Sequence, residues 1–268
     1  MSIKLVAVDM DGTFLTHDKT YDRESFHRFF EYFHQKNGHF AVASGNQYYQ
    51  LESFFEEYGD KISYIAENGA WIMSEGKELY CGVIDPKTVR DVLTELQKYR
   101  QIKIVVCGKN SAYVLEKDGL VFYEQIHRYY HKLKRVKNFE EGIVRDHILK
   151  FALMCPFDET NELMSQLSLP DHIVPTSGGQ GCIDLIIKGQ NKGNALLKLC
   201  HDLDISLDEC IAFGDGGNDV EMLSMAGCGY AVANAGEEAK QAADKMIDSN
   251  ENQGVIKELL RLMEKAIL

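Results

Sequence analysis

An α/β fold is predicted, with a mainly parallel sheet at its core and an inserted α+β domain. Three observations predict it. Short apolar runs alternate with helical patterns at both ends of the chain. Several of those runs stop abruptly in polar residues. Between about 83 and 187 the regular alternation gives way to an irregular mixture of helices and strands.

The first element is the run Ile3, Leu5, Val6, Ala7, Val8, a strand apolar on both faces as a parallel sheet requires. It ends in Asp9-Met10-Asp11-Gly12-Thr13. In open α/β sheets the ligand sits beyond the carboxyl ends of the strands, so two carboxylates there mark a place for chemistry. If the strand continued, Asp9 and Asp11 would share a face. Two bare carboxylates about 4 Å apart repel by roughly 4 kcal/mol at an effective dielectric near 20, so a cation or a shared proton has to offset them. Solvated turn aspartates are the alternative that this spacing alone leaves open.

Residues 20–37 read as a helix with Phe26, Phe29, Phe30 and Phe33 on its core face and Gly38 at its end. Phe40 to Ala43 is a second buried strand, closed by Ser44-Gly45-Asn46, with a helix over 46–58. A hydroxyl and free N–H groups at a helix start suit an anion, although a serine cap with no ligand is the commoner arrangement. Ile62 to Ala66 is the third strand, followed by Glu67-Asn68-Gly69 and a hairpin over 71–80 around Glu75-Gly76.

Across 83–187 the order expected is αββαβαββ: helices over 85–100, 118–131 and 158–168, strands over 102–107, 111–116, 148–155, 171–175 and 182–187. The basic cluster Arg128, Lys132, Lys134, Arg135, Lys137 is expected as a solvated loop after a helix, with a polyanion patch as the sharper alternative. From Lys188 the alternation returns. A helix over 192–203 opens at Lys192, and the strand 211–213 ends in Gly214-Asp215-Gly216-Gly217-Asn218-Asp219. Helices over 219–226, 236–243 and 252–267 and strands over 229–232 and 245–248 complete the chain. The expected domains are therefore a core of 1–82 with 188–268 and an insertion of 83–187.

The chain has 268 residues and 45% hydrophobic content, enough for a large core. A net charge of −12 disfavours nucleic acid or an anionic membrane as a partner. Seven scattered cysteines without a CxxC pair read as buried thiols of a reducing, cytoplasmic compartment. The start, Met1-Ser2-Ile3-Lys4, has no leader pattern, and no apolar run reaches the roughly 18 residues of a membrane span. Nothing in the sequence demands more than a monomer.

Taken together, three strand ends carry Asp9/Asp11, Ser44/Gly45 and Asp215/Asn218/Asp219 to one rim, with Lys192 beside them. A hard cation with oxygen ligands would resolve that carboxylate cluster, and Mg²⁺ is the usual choice next to phosphate. A dinucleotide loop is excluded because Asp219 stands where GxGxxG needs glycine, and no P-loop pattern occurs.

These four motifs resemble those of the haloacid dehalogenase superfamily of phosphohydrolases, in order and over the whole chain. The insertion resembles the C2-type α+β cap of its Cof-like group, subclass IIB, and the run Ala43 to Leu51 looks like bacterial sugar-phosphate phosphatases. The resemblance implies a Rossmann-like core and a phosphatase of small phosphomonoesters, sugar phosphates foremost. It implies Asp9 as nucleophile and Asp11 as acid and base. Mg²⁺ would be held by Asp9, the Asp11 backbone carbonyl and Asp215, with Asp219 in support. Ser44, Gly45, Lys192 and Asn218 would hold the phosphoryl group. Asn46 departs from the arginine that many members carry there, leaving one cation fewer. Substrate contacts are expected from Tyr48 and Asn68 of the core and from Asp184 and the loop Ser177-Gly178-Gly179-Gln180-Gly181 of the cap. The alternatives are a phosphosugar mutase on the same fold and, from another class, a phosphate-binding regulator.

Overall fold

The computed structural model describes residues 3–179 and 181–265, with the backbone alone at 157 and 177–179. Strand β1 (Leu5–Val8) lies at the centre of an eight-stranded sheet. It is followed by α1 (Arg23–Gln35), β2 (His39–Ala43), α2 (Tyr48–Ser53), β3 (Ile62–Ala66) and the hairpin β4 (Trp71–Ser74), β5 (Lys77–Cys81). A second, six-stranded sheet follows from α3 (Pro86–Leu96), β6 (Lys103–Gly108), β7 (Ala112–Leu115), α4 (Gly119–His127), β8 (Leu133–Val136), α5 (Glu140–Ile143), β9 (Ile148–Met154), α6 (Thr160–Gln166), β10 (Ile173–Gly179) and β11 (Cys182–Ile187). The chain then returns to the first sheet through α7 (Lys192–Asp202), β12 (Cys210–Gly214), α8 (Val220–Met225), β13 (Cys228–Val232), α9 (Glu237–Ala242), β14 (Lys245–Ile247) and α10 (Gly254–Glu264).

The first sheet runs β14-β13-β12-β1-β2-β3-β4-β5, parallel up to β3 and antiparallel through the hairpin. The second runs β10-β11-β9-β6-β7-β8, antiparallel except for β7 with β8. Each has its own apolar core. That of the first is rich in aromatic rings: Phe14, Phe26, Phe40 and Phe55 stand 5.0 to 6.2 Å apart, centroid to centroid. The phenylalanine stripe of α1 is buried there, and Asp22 caps that helix by accepting from the Ser25 N–H.

Four expectations need correction. The helix over 46–58 stops at Ser53, and a 3₁₀ segment (Glu56–Lys61) follows, broken by Gly59 at φ +53°. The helix over 118–131 ends at His127. The insertion reads αββαβαβαββ because β8 and α5 were not foreseen. The basic cluster is therefore no plain loop. Lys134 and Arg135 are exposed on β8, the last strand of its sheet, where charge discourages pairing with another chain.

Candidate active site

The carboxyl ends of β1, β2 and β12 lie side by side because the three strands are parallel neighbours in register. After Val8 the chain stops being a strand. The Phe14 and Leu15 amides turn back to the Met10 carbonyl, so residues 10–15 form a tight turn. Gly12 sits in that turn at φ +84°, and a Cβ there would lie 2.6 Å from Asp215 Oδ2. The turn separates the first two aspartates. Asp9 stays with the sheet end, whereas the Asp11 carboxylate accepts from the Lys19 ammonium and, at 2.6 Å, from Asn46 Nδ2. The two do not share a face, because the strand does not continue.

Lys192 opens α7, where Asn191 caps the helix by accepting from the Asn194 N–H. Its ammonium is fully buried and donates at 2.6 Å to both Asp9 Oδ1 and Asp219 Oδ1. Asp219 Oδ2 accepts from the N–H groups of Asp215 and Gly216, at 3.0 and 2.9 Å, and so shapes the turn after β12. Thr13 Oγ1 donates to Asp215 Oδ1 at 2.8 Å.

Carboxylate oxygens of Asp9, Asp215 and Asp219 lie within 4.8 Å of one another. Burial pushes Asp9 well above the usual carboxylate range. Lys192 opposes the shift, while the charges of Asp219 and Asp215 add to it. Asp215 is raised by burial and by Asp219, against the Thr13 bond and Lys192. Burial works against a charged lysine, yet Asp219 and Asp9 outweigh it and raise Lys192. One ammonium is too little positive charge for three carboxylates, and their all-oxygen donor set fits a hard divalent cation. The Asp11 carboxylate is not in this trio, so only its backbone carbonyl is left to contribute.

Ser44, Gly45 and Asn218 line the same cavity of about 590 Å³ as Asp9, Asp11 and Asp215. On its far side the second sheet, α4 and the turn after it contribute Ile126, Tyr129, Tyr130, Met154 and Asp184. Asn68 and Asp184 are buried and bonded to each other, at 2.6 Å, and Asn218 Nδ2 reaches Asn68 Oδ1 at 3.1 Å. They form one polar bridge from the second sheet to the first, and only Asp184 and Asn218 of the three line the cavity.

Tyr48 is not at the site. Its ring packs on Trp71 and Tyr64, and its hydroxyl bonds Glu52 at 2.8 Å beside a separate, smaller cavity. The next residue, one helical step round, is the one that faces the second sheet: Tyr49 donates to the Lys109 carbonyl at 3.2 Å. Tyr48→Phe is accordingly expected to change KM for phosphate esters less than about twofold, as a surface-like change does; a larger rise on sugar esters would return Tyr48 to the substrate. Of the cap loop, Gln180 lies outside the described residues, as do the side chains of 177–179.

Three residues escaped the sequence reading. Lys19, at φ +57°, brings to Asp11 the cation that Asn46 lacks. Gln47, buried, holds the Lys132 backbone of the cap by two bonds, at 2.9 and 2.8 Å. Lys150 is a charge in the middle of the apolar strand β9, a signal visible in the run Ile148 to Leu153.

The sequence model for haloacid dehalogenase-like hydrolases matches residues 6–259. The 5-amino-6-(5-phospho-D-ribitylamino)uracil phosphatase YbjI of Escherichia coli is 42% identical over 262 residues, 96% of this chain and 94% of that protein. Phosphatase YwpJ of Bacillus subtilis is 28% identical, covering 94% of this chain and 97% of its own. Among solved structures, SMU.1108c of Streptococcus mutans superposes with a TM-score of 0.93 at 31% identity, over 98% of this chain and 100% of that one. With the buried carboxylates beside the strand ends and the lysine at the start of α7, this match over nearly the full length shows that the chain belongs to the haloacid dehalogenase-like hydrolases and is a phosphatase.

Proposed function

We propose that the protein hydrolyses small phosphomonoesters, sugar and sugar-alcohol phosphates foremost, through an aspartyl-phosphate on Asp9. The observation that carries this reading is the Lys192 ammonium held between Asp9, at the end of β1, and Asp219, in the turn between β12 and α8. An Asp9 oxygen attacks phosphorus and the bond from phosphorus to the ester oxygen breaks. Asp11 gives its proton to that leaving oxygen, then takes one from the water that attacks the phosphoenzyme. Inorganic phosphate leaves and Asp9 is a carboxylate again. Ser44, Gly45, Asn218 and Lys192 hold the phosphoryl oxygens, and Asn46 with Lys19 orients Asp11.

Asp9, Asp215 and the Asp11 carbonyl would hold Mg²⁺, with Asp219 steadying Asp215 through its backbone. Bound there, the ion supplies positive charge against the phosphate and the carboxylates. In this reading residues 1–82 and 188–268 do the chemistry, and 83–187 form a cap that shuts out water and selects the leaving group. The tyrosines and Met154 on the cap side suit a leaving group with a ring or carbon chain, as in the ester named for the Escherichia coli relative. A monomer suffices, since every group of the site comes from one chain, and the free thiols fit the cytoplasm.

The test is phosphate release from a panel of hexose, pentose and ribityl phosphates, the ribitylaminouracil ester included, with Mg²⁺ and with EDTA. Metal-dependent turnover that ranks polyol esters above p-nitrophenyl phosphate is the expected result. Isomerised sugar phosphate without free phosphate would replace the hydrolase by a mutase.

A further inference from the structure

The loop after β2 is pinned by its carbonyls. Ser44 O accepts from the Asn68 N–H at 3.0 Å, and Asn46 O from the Glu67 N–H at 3.1 Å. Gly45 O, between them, accepts from Lys150 Nζ at 2.7 Å. Three successive carbonyls are thus tied back; the Ser44 N–H is spent on the Ile65 carbonyl and the Asn46 N–H on Ser44 Oγ, which leaves the Ser44 hydroxyl proton and the Gly45 N–H for an anion. Two of the ties come from a segment in an unfavourable conformation. Glu67 and Asn68 stand at φ +52° and +56°, followed by Gly69 at +89°, and all three are buried. Such backbone persists only where the surroundings hold it, and it gathers at functional sites.

The third tie comes from the other sheet. Lys150 projects from β9, almost wholly buried, and its ammonium also meets Asp184 at 2.8 Å and Glu67 at 3.4 Å. Burial alone would lower its pKa, but Asp184 and Glu67 more than reverse that, so it stays charged. A buried charge-assisted bond to a carbonyl is among the stronger bonds available to a loop. The neighbouring contacts run the same way: Gln47 grips the Lys132 backbone, and the Lys132 ammonium lies 3.4 Å from the centroid of the Tyr49 ring.

We propose that Lys150 is a positioning residue of the phosphate loop, supplied by the cap, so that the phosphate site is complete only while the two sheets are docked. The proposal rests on the reading of Ser44–Asn46 as phosphate-holding and extends it to a residue that need not touch the substrate. Because the tie acts on the loop, its loss weakens the grip on phosphate itself, whatever the leaving group.

The experiment uses inorganic phosphate, with Mg²⁺, as a competitive inhibitor of p-nitrophenyl phosphate and of a sugar phosphate. Three variants are compared with wild type: Lys150→Met, the double variant Lys150→Met/Asp184→Asn, which leaves one fewer unpaired carboxylate, and Lys150→Arg, which keeps the charge but misplaces the donor. We expect the Ki of phosphate and both KM values to rise by one common factor, about tenfold for the double variant, the scale of a lost charged hydrogen bond. Lys150→Arg is expected to give a smaller rise in the same three quantities. A Ki equal to wild type, with only the melting temperature lowered, would make Lys150 merely structural. A rise confined to the sugar ester would make it a leaving-group contact. Either result overturns the proposal while leaving the phosphatase reading intact. A wild type that neither releases nor binds phosphate overturns both.

Discussion

Asp9→Asn is expected to abolish phosphate release, by about 10⁴-fold or more, while the protein stays folded. Asparagine has nearly the shape of aspartate, but its amide oxygen is a poor nucleophile and cannot form the acyl phosphate. The fold has no reason to suffer. Burial already pushes Asp9 well above the usual carboxylate range, with the Asp219 and Asp215 charges adding to it against Lys192. An uncharged group there relieves repulsion within the trio. The variant should therefore melt no lower than wild type in EDTA, and bind Mg²⁺ more weakly. Acid-quenched wild type should carry a hydroxylamine-sensitive phosphoryl group on residue 9 that the variant lacks. Residual turnover above a tenth of wild type would place the nucleophile elsewhere.

Lys192→Met should be as damaging to activity and far more so to stability. The ammonium is bonded at 2.6 Å to two buried carboxylates, Asp9 after β1 and Asp219 in the turn before α8. Taking it away leaves both without their counter-charge, a change that typically costs about 3–5 kcal/mol. For a chain of this size that corresponds to a fall of roughly 10 °C in melting temperature. A bound cation neutralises the same carboxylates, so added Mg²⁺ should recover part of the loss by mass action. Arginine should not substitute, because a planar guanidinium cannot occupy the space of a point-like ammonium between two close oxygens. Calorimetry with Mg²⁺ and with EDTA checks this. A metal-free Lys192→Met as stable as wild type would mean that the fold does not depend on the lysine's charge, and that the lysine serves catalysis alone.

Residues of two kinds met different fates between sequence and structure. Asp9, Ser44, Asp215 and Lys192 were legible because each sits where a local pattern breaks: an apolar strand run ends, or a helix begins, in a polar group. Their nearness follows from parallel pairing, which the alternation of strands and helices already implies. Tyr48 lies near Asn46 in sequence, but its side chain is not beside that of Asn46 in space. On α2 a single residue turns the side chain about 100°, which sends Tyr48 to Trp71 and leaves Tyr49 to the cap. Lys19 and Gln47 lie in a turn and at a helix start without any period to betray them. Lys150 interrupts an apolar strand, and a charge so placed is rarely buried without a partner.

By itself the sequence determined the class of fold, the strands that end in polar groups and the chemistry those groups can perform, because strand and helix patterning depends on nearest neighbours and on burial. Only the tertiary structure decided the partners: that Asp11 turns to Lys19 and Asn46, that Asn68 joins Asp184 to Asn218, and that a cap lysine secures the carbonyl of Gly45. Lys150 and Gly45 are 105 residues apart, and Lys192 and Asp9 are 183 apart. A hydrogen bond fades within a few tenths of an ångström, so its partner depends on where whole sheets dock, and no local period in the chain encodes that.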